Sequence, residues 1–379
     1  NQPARPDSMP ELSLSPALHF LAQMSQLPPA LSIRTFVRTA GYKLRPPRPL
    51  PFSPTVRHAQ EAVLERGLAE PRQKSTVLHE QRKGGVPTIV MGGFVPDATD
   101  QVYLLRGRLL TFGSLYYFNY SRHGFSVDLF CAQLDDLVEE LGTLYGQQPV
   151  LFTVSFGCGL LLEWLRRRRS AGRPAALGGV ILVSPVTCVE DLLDPGAIKP
   201  ATLVGRALKP YFEAKGTMST AGIEKSRAVF TKMFEAGAQN KESLYTLMTK
   251  GELERLRTGV MDAIRNIDAA GACERVQALK GMPVPAGYFS PEILPLSDAP
   301  ALILYAEKEA SALTDNSPTR FALERATRAY FSNGTVRLVT NPRGNPVQHA
   351  SLIFHVFNFL PPIRAFYRGL KKRKVRAGA

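Results

Sequence analysis

The sequence predicts an α/β domain: a mostly parallel sheet with helices on both faces, interrupted by a helical insertion. Three observations lead there. Short runs rich in β-branched and aromatic residues alternate with helix-length amphipathic stretches, which is the pattern of successive βαβ units. The runs VPTIVM (86–91), VLFTV (150–154), GVILV (179–183) and ALILY (301–305) are apolar throughout rather than alternating, as expected of strands covered on both sides. The alternation stops near Ser184 and resumes at Ala301, and the intervening residues read as helices broken by glycine and proline.

Taken in order, residues 1–74 form an arm. Leu12, Leu14, Leu18, Leu21 and Met24 make an amphipathic stripe, PPRPLPFSP (46–54) must be extended, and 56–68 reads as a helix. The core begins with strands at 75–79 and 86–91, the second closed by Gly92 and Gly93. A helix at 100–110, a strand at 114–120, a helix at 127–141 and the strand 150–154 follow. A helix at 159–169 and the strand 179–183 complete the first part of the core, 75–185. The insertion takes 186–300. The core then resumes over 301–365 with strand 301–305, helix 318–327, strand 335–339 and a closing helix at about 350–360, leaving a basic tail at 366–379. No segment repeats.

Hydrophobic residues make up 44 % of the 379, enough for a sizeable core, and no window of about 18 apolar residues reads as a membrane span. The formal net charge is +15. Two runs carry much of it: Arg166, Arg167, Arg168 and Arg169 in a helix, and Lys371, Lys372, Arg373, Lys374 and Arg376 at the end. They read first as solvated faces and second as a weak contact with an anionic membrane surface. No recognised binding motif accompanies the charge, so no nucleic-acid partner is expected. Cys131, Cys158, Cys188 and Cys273 lack CxxC spacing and lie in apolar contexts, so buried thiols are expected rather than a disulfide framework or a metal site. Buried, unpaired thiols suit a reducing compartment, so the chain is expected in the cytoplasm or at a membrane periphery rather than secreted.

The strongest chemical signal is Thr153-Val154-Ser155-Phe156-Gly157, where a buried strand ends in a serine and a helix begins at once. Such a tight turn presents the serine side chain at the carboxyl edge of the sheet, and the helix N-terminus adds N–H groups aimed at the same place. Read alone, it could equally be a βα turn with a capping serine. Glu307, Glu309 and Asp315 follow the resumed strand, and read alone they fit a charged surface loop. His349 follows the last strand and precedes the closing helix. Of the other histidines, His123 could fall near the site and His355 falls inside the last helix. The Gly92-Gly93-Phe94-Val95 stretch follows a strand and could be a plain glycine turn. No dinucleotide glycine fingerprint and no paired-histidine metal motif is present, so neither cofactor nor metal is expected.

Together these segments resemble the α/β-hydrolase fold family over about 75–185 and 300–360, with the insertion where that family commonly carries a cap. Thr153 departs from the pattern, since glycine is usual two residues before the nucleophile. The resemblance implies Ser155 as nucleophile, His349 as base and Glu309 as acid by register, with Glu307 and Asp315 as rivals. It also implies an oxyanion hole from the Phe94 and Phe156 amides. The expected function is a serine hydrolase acting on a small-molecule ester, ahead of a thioester or amide. An acyltransferase or a non-catalytic binding protein on the same fold are the alternatives. Apolar residues of the insertion (Leu203, Leu208, Tyr211, Phe212, Phe230, Met233 and Phe234) suggest either a greasy substrate group or the insertion's own core.

Overall fold

The computed structural model describes residues 49–197, 199–214, 218–238, 250–288, 290–342 and 344–377. The amphipathic stripe from Leu12 to Met24 lies outside them. Within the compact unit Arg48–Ala379, eight strands form one sheet in the order β1-β2-β4-β3-β5-β6-β7-β8. They are β1 (Leu50–Phe52), β2 (Thr76–Glu80), β3 (Thr88–Met91), β4 (Leu115–Asn119), β5 (Val150–Val154), β6 (Gly179–Val183), β7 (Ser297–Ala306) and β8 (Phe331–Val339). The pairs β1/β2 and β2/β4 are antiparallel and every other pair is parallel.

The parallel strands are apolar because helices cover both sides. All residues of β3, β4, β5 and β6 are buried. The helix Val127–Tyr145 starts where Ser126 accepts a hydrogen bond from the Leu129 amide at 3.2 Å, a cap generally worth about 1 kcal/mol, and stops at Gly146, whose φ is 59°. The closing helix, Val356–Ala377, runs against the sheet: the Tyr367 hydroxyl meets Thr88 of β3 at 2.8 Å, and Phe366 fills the space a side chain at Gly179 would need.

Several expectations need adjusting. Part of the expected arm belongs to the sheet, for the proline-rich stretch contributes β1 at its edge. The short helix His58–Glu65 is held on the core by Asp136, which accepts from the Ala59 and Gln60 amides, both at 3.0 Å. The expected helix at 100–110 is two short turns, Ala98–Gln101 and Arg106–Leu109. The closing helix runs through Pro361 and Pro362, so the residues expected as a tail form its last turns. Buried Phe359, Ile363 and Tyr367 on one face offset the backbone bonds that the two prolines cannot make.

Between β6 and β7 the described residues are helical, with no strand: Leu203–Glu213, Thr220–Ala238, Lys250–Asn266 and Ala269–Gly281 are the main helices. Of the insertion's apolar residues, Leu208 and Tyr211 are buried, Phe212, Phe230, Met233 and Phe234 are half-buried, and Leu203 is exposed. Among the described residues no helix is long and apolar enough to cross a membrane. The arginine run is engaged within the fold: Arg166 pairs with Glu163, Arg167 with Asp128 and Glu163, Arg168 with Asp135, and Arg169 with Asp298.

Candidate active site

Ser155 stands directly after β5 with φ 50° and ψ −116°, a backbone conformation that generally costs a non-glycine residue about 1–3 kcal/mol. The surroundings hold it there. Its amide donates to the Val183 carbonyl at 2.8 Å, and its carbonyl accepts from the Cys158 and Val186 amides at 2.9 and 3.2 Å. The helix Phe156–Ser170 begins at the next residue, and close packing around it is possible only because two positions lack a side chain. A Cβ on Gly157 would lie 2.5 Å from the Gly92 carbonyl oxygen, and one on Gly159 would lie 2.7 Å from that of Val186. Thr153, the departure noted in the sequence, is fully buried, and its hydroxyl lies within hydrogen-bond distance of two acceptors for its one proton, the Ile181 carbonyl at 3.1 Å and Cys158 Sγ at 3.2 Å. The branched side chain therefore bonds across β6 instead of crowding the turn.

The loops at the carboxyl ends of β5, β7 and β8 bring three distant residues together. Ser155 Oγ lies 2.9 Å from His349 Nε2, and His349 Nδ1 lies 2.5 Å from Glu309 Oε2. A carboxylate can only accept, so Nδ1 carries the proton and Nε2 is free to accept from the serine hydroxyl. Glu309 is buried, and its other oxygen accepts from the Ala306 amide at 2.6 Å and the Ser184 hydroxyl at 2.8 Å. The two loops are joined as well, for the Lys308 amide donates to the Val347 carbonyl at 2.9 Å.

The rivals to Glu309 face elsewhere. Glu307 is exposed and accepts from the Asn341 amide at 3.2 Å, and Asp315 is exposed. His123 is exposed beside Asp268, 3.2 Å away. His355 is buried just before the last helix, bonded to Ser351 Oγ at 2.8 Å, and takes no part in the chain. Cys158 is one turn from Ser155, but burial pushes its thiol up to about 12, so it stays protonated and is a poor nucleophile. Cys131 and Cys188 are also buried, whereas Cys273 is only half-buried.

Gly93 and Phe94 lie beside the serine. A Cβ on Gly93 would be 3.5 Å from Ser155 Cβ, and the Gly93 amide donates to Gln101 Oε1 at 2.7 Å. The Phe94 and Phe156 rings meet edge to face with centroids 5.5 Å apart. Among the described residues, neither the Phe94 amide nor the Phe156 amide donates to a protein acceptor.

Two residues in this architecture had no signal in the sequence. Ser184 directly follows β6 with φ 48° and links Glu309 to the Ala350 amide, which donates to its hydroxyl at 3.0 Å. Arg275 comes from the insertion helix Ala269–Gly281, is 2 % exposed and donates to the Phe94 carbonyl. A serine after a strand and an arginine within a helix are too common to single out.

Sheet order, parallel pairing and the strand–serine–helix turn define an α/β-hydrolase fold. Solved structures of similar fold agree. A thermophilic esterase from Thermogutta terrifontis superposes with a TM-score of 0.52 at 15 % identity, covering 85 % of this chain and 99 % of that one. A bacterial membrane phospholipase A gives 0.54 at 12 % identity over 94 % and 96 %. An epoxide hydrolase from Bacillus megaterium gives 0.51 at 11 % identity over 78 % and 97 %. No family model and no curated protein matches the sequence.

Proposed function

We propose that this protein is a serine hydrolase that cleaves a carboxylic ester through an acyl-enzyme. The hydrogen-bonded chain Ser155–His349–Glu309, placed at the carboxyl edge of the sheet, carries the reading. Ser155 Oγ attacks the ester carbonyl carbon while His349 Nε2 takes its proton. The tetrahedral oxyanion is held by the Phe94 and Phe156 amides, aided by the positive end of the helix Phe156–Ser170. Collapse breaks the bond to the alcohol, which leaves with the proton from His349. Water then attacks the acyl carbon, gives a proton to the same nitrogen, and the acid departs as Ser155 recovers its proton. Glu309 keeps the imidazole in its tautomer and stabilises the imidazolium at each step.

The substrate is a small ester with an apolar group, and the insertion selects its length. Insertion aromatics meet the site's own loops: Phe230 stacks on Phe94 at 6.3 Å, and Phe234 meets Phe354 at 5.6 Å. The last helix gives a cationic face suited to an anionic membrane surface. Its sequence holds no Asp or Glu, and Arg364, Arg368, Lys371 and Lys372 are exposed.

The test is turnover of p-nitrophenyl esters of increasing chain length by the wild type and Ser155→Ala, with and without an added alcohol. Hydrolysis by the wild type and a loss of at least about a thousandfold in the correctly folded variant are expected. Turnover in the variant within tenfold of wild type would overturn the assignment. Acyl transfer to the alcohol in preference to water would make the protein an acyltransferase.

A further inference from the structure

We propose that Arg275 is a positioning residue for the oxyanion site: from the helical insertion it fixes the Phe94 carbonyl, and so aims the Phe94 amide at the substrate oxygen. This rests on the serine mechanism above and adds a residue to it from outside the α/β core.

The placement of Arg275 is unusual for a cation. Its guanidinium is buried, and among the described residues its hydrogen bonds go to no carboxylate. Its partners are backbone carbonyls instead: Nη1 donates to Phe94, and Nη2 donates to Ser121 at 2.8 Å and to Tyr120 at 3.5 Å. The same group lies over the Tyr120 ring at 5.5 Å and the Phe94 ring at 6.0 Å. Burial lowers its pKa to about 10, so it remains charged at neutral pH. Asp97 and Asp268 favour the charge only from a distance, so its burial without a bonded carboxylate is costly, and an apolar side chain could fill the space with less penalty. A staple holding the helix to the core is already present next door. Glu274 accepts from Arg72 and Gln73, both at 2.7 Å, and from the Phe125 amide at 2.6 Å. What Arg275 adds is the grip on Phe94.

That grip falls where it matters. Gln101 holds the Gly93 amide on one side, and Arg275 holds the Phe94 carbonyl on the other. The peptide between them carries the Phe94 N–H. Glycine at 92 and 93 leaves this loop flexible of itself, so its aim depends on these two anchors. A donor contributes to catalysis only when it points at the oxyanion's position, and it does so mainly in the transition state. Because one anchor belongs to the insertion, docking of that helix and alignment of the oxyanion donor are coupled.

The experiment compares wild type, Arg275→Met, Arg275→Lys and Glu274→Gln for kcat, KM and inhibition by a trifluoromethyl ketone that mimics the tetrahedral intermediate. Arg275→Met should lower kcat about ten- to a hundredfold, with KM changed less than about threefold and ketone affinity falling in step with kcat. Arg275→Lys keeps the charge without the fork and should lose about three- to tenfold in kcat. Glu274→Gln loosens the same helix without touching the loop and should stay within about threefold. If Arg275→Met does not fold, Arg275→Lys decides. Wild-type kcat and ketone affinity in the folded arginine variants would overturn the proposal, as would an equal loss in Glu274→Gln. Failure of the serine mechanism is recognised separately, by wild-type turnover in Ser155→Ala.

Discussion

Ser184 binds Glu309 and the residue after His349 with a single hydroxyl: it donates to Glu309 Oε1 at 2.8 Å and accepts from the Ala350 amide at 3.0 Å. Glu309 and the histidine loop are thus held in register by a residue that makes no hydrogen bond to Ser155. Removing that hydroxyl leaves a buried carboxylate oxygen short of a donor and a backbone amide short of an acceptor, each costing about 1–3 kcal/mol. Ser184→Gly is the informative variant, because glycine accepts the φ of 48°. Its kcat should fall about tenfold with KM nearly unchanged. Steady-state kinetics on a p-nitrophenyl ester checks this, and an unchanged kcat would show that the bridge is dispensable.

Glu309→Gln should lower kcat by about three to four orders of magnitude, because an amide cannot hold the imidazole tautomer or stabilise its cation. Glu307→Gln and Asp315→Asn should stay within about twofold, since both side chains face solvent. A large loss in either exposed variant with Glu309→Gln active would move the acid to another position on the loop.

Asp100 gives a pH signature in stability. Burial, and next the charge of Asp97, push its carboxyl up to about 7, against the pull of Arg122 and Arg106. An unfolded chain would ionise it near its ordinary value of about 3.9. The folded state therefore holds this proton more tightly, and the stabilisation, full below about pH 4, is lost as pH rises through 7. Asp100→Asn should remove this slope. Its melting temperature should exceed that of the wild type by more at pH 8 than at pH 5. Parallel melting curves at the two pH values would contradict the assignment.

The cationic helix predicts binding to anionic vesicles. Lys371→Gln with Lys372→Gln should weaken retention on phosphatidylserine-containing vesicles several-fold, since each cation near an anionic leaflet is worth about 1 kcal/mol. Turnover of a soluble ester should not change. Substitution is preferable to truncation at 370, because Leu370 packs near Gly179 of β6. Equal vesicle binding by the variant would refute the contact.

Much of this was legible because burial on both faces writes strands as unbroken apolar runs. β3, β5 and β6 stand within the runs read from the sequence, and Ser155, Glu309 and His349 follow strands β5, β7 and β8. What escaped depends on tertiary packing. β1 hides in a proline-rich stretch, because prolines are tolerated at a sheet edge where ladder bonds are few. The closing helix outruns Pro361 and Pro362 because buried side chains, not propensity, sustain it. The 100–110 stretch has helical periodicity but breaks at Val102 to Leu105, where the loop behind Gly93 turns. Ser184 and Arg275 acquire their roles only through partners remote in sequence.

Covalent labelling with a fluorophosphonate probe, followed by peptide mapping, tests the serine mechanism at its nucleophile. The serine mechanism predicts one adduct, on Ser155, formed rapidly by the wild type, slowly by His349→Ala and not at all by Ser155→Ala. Absence of an adduct on the folded wild-type protein, or an adduct on another residue that persists in Ser155→Ala, would contradict it.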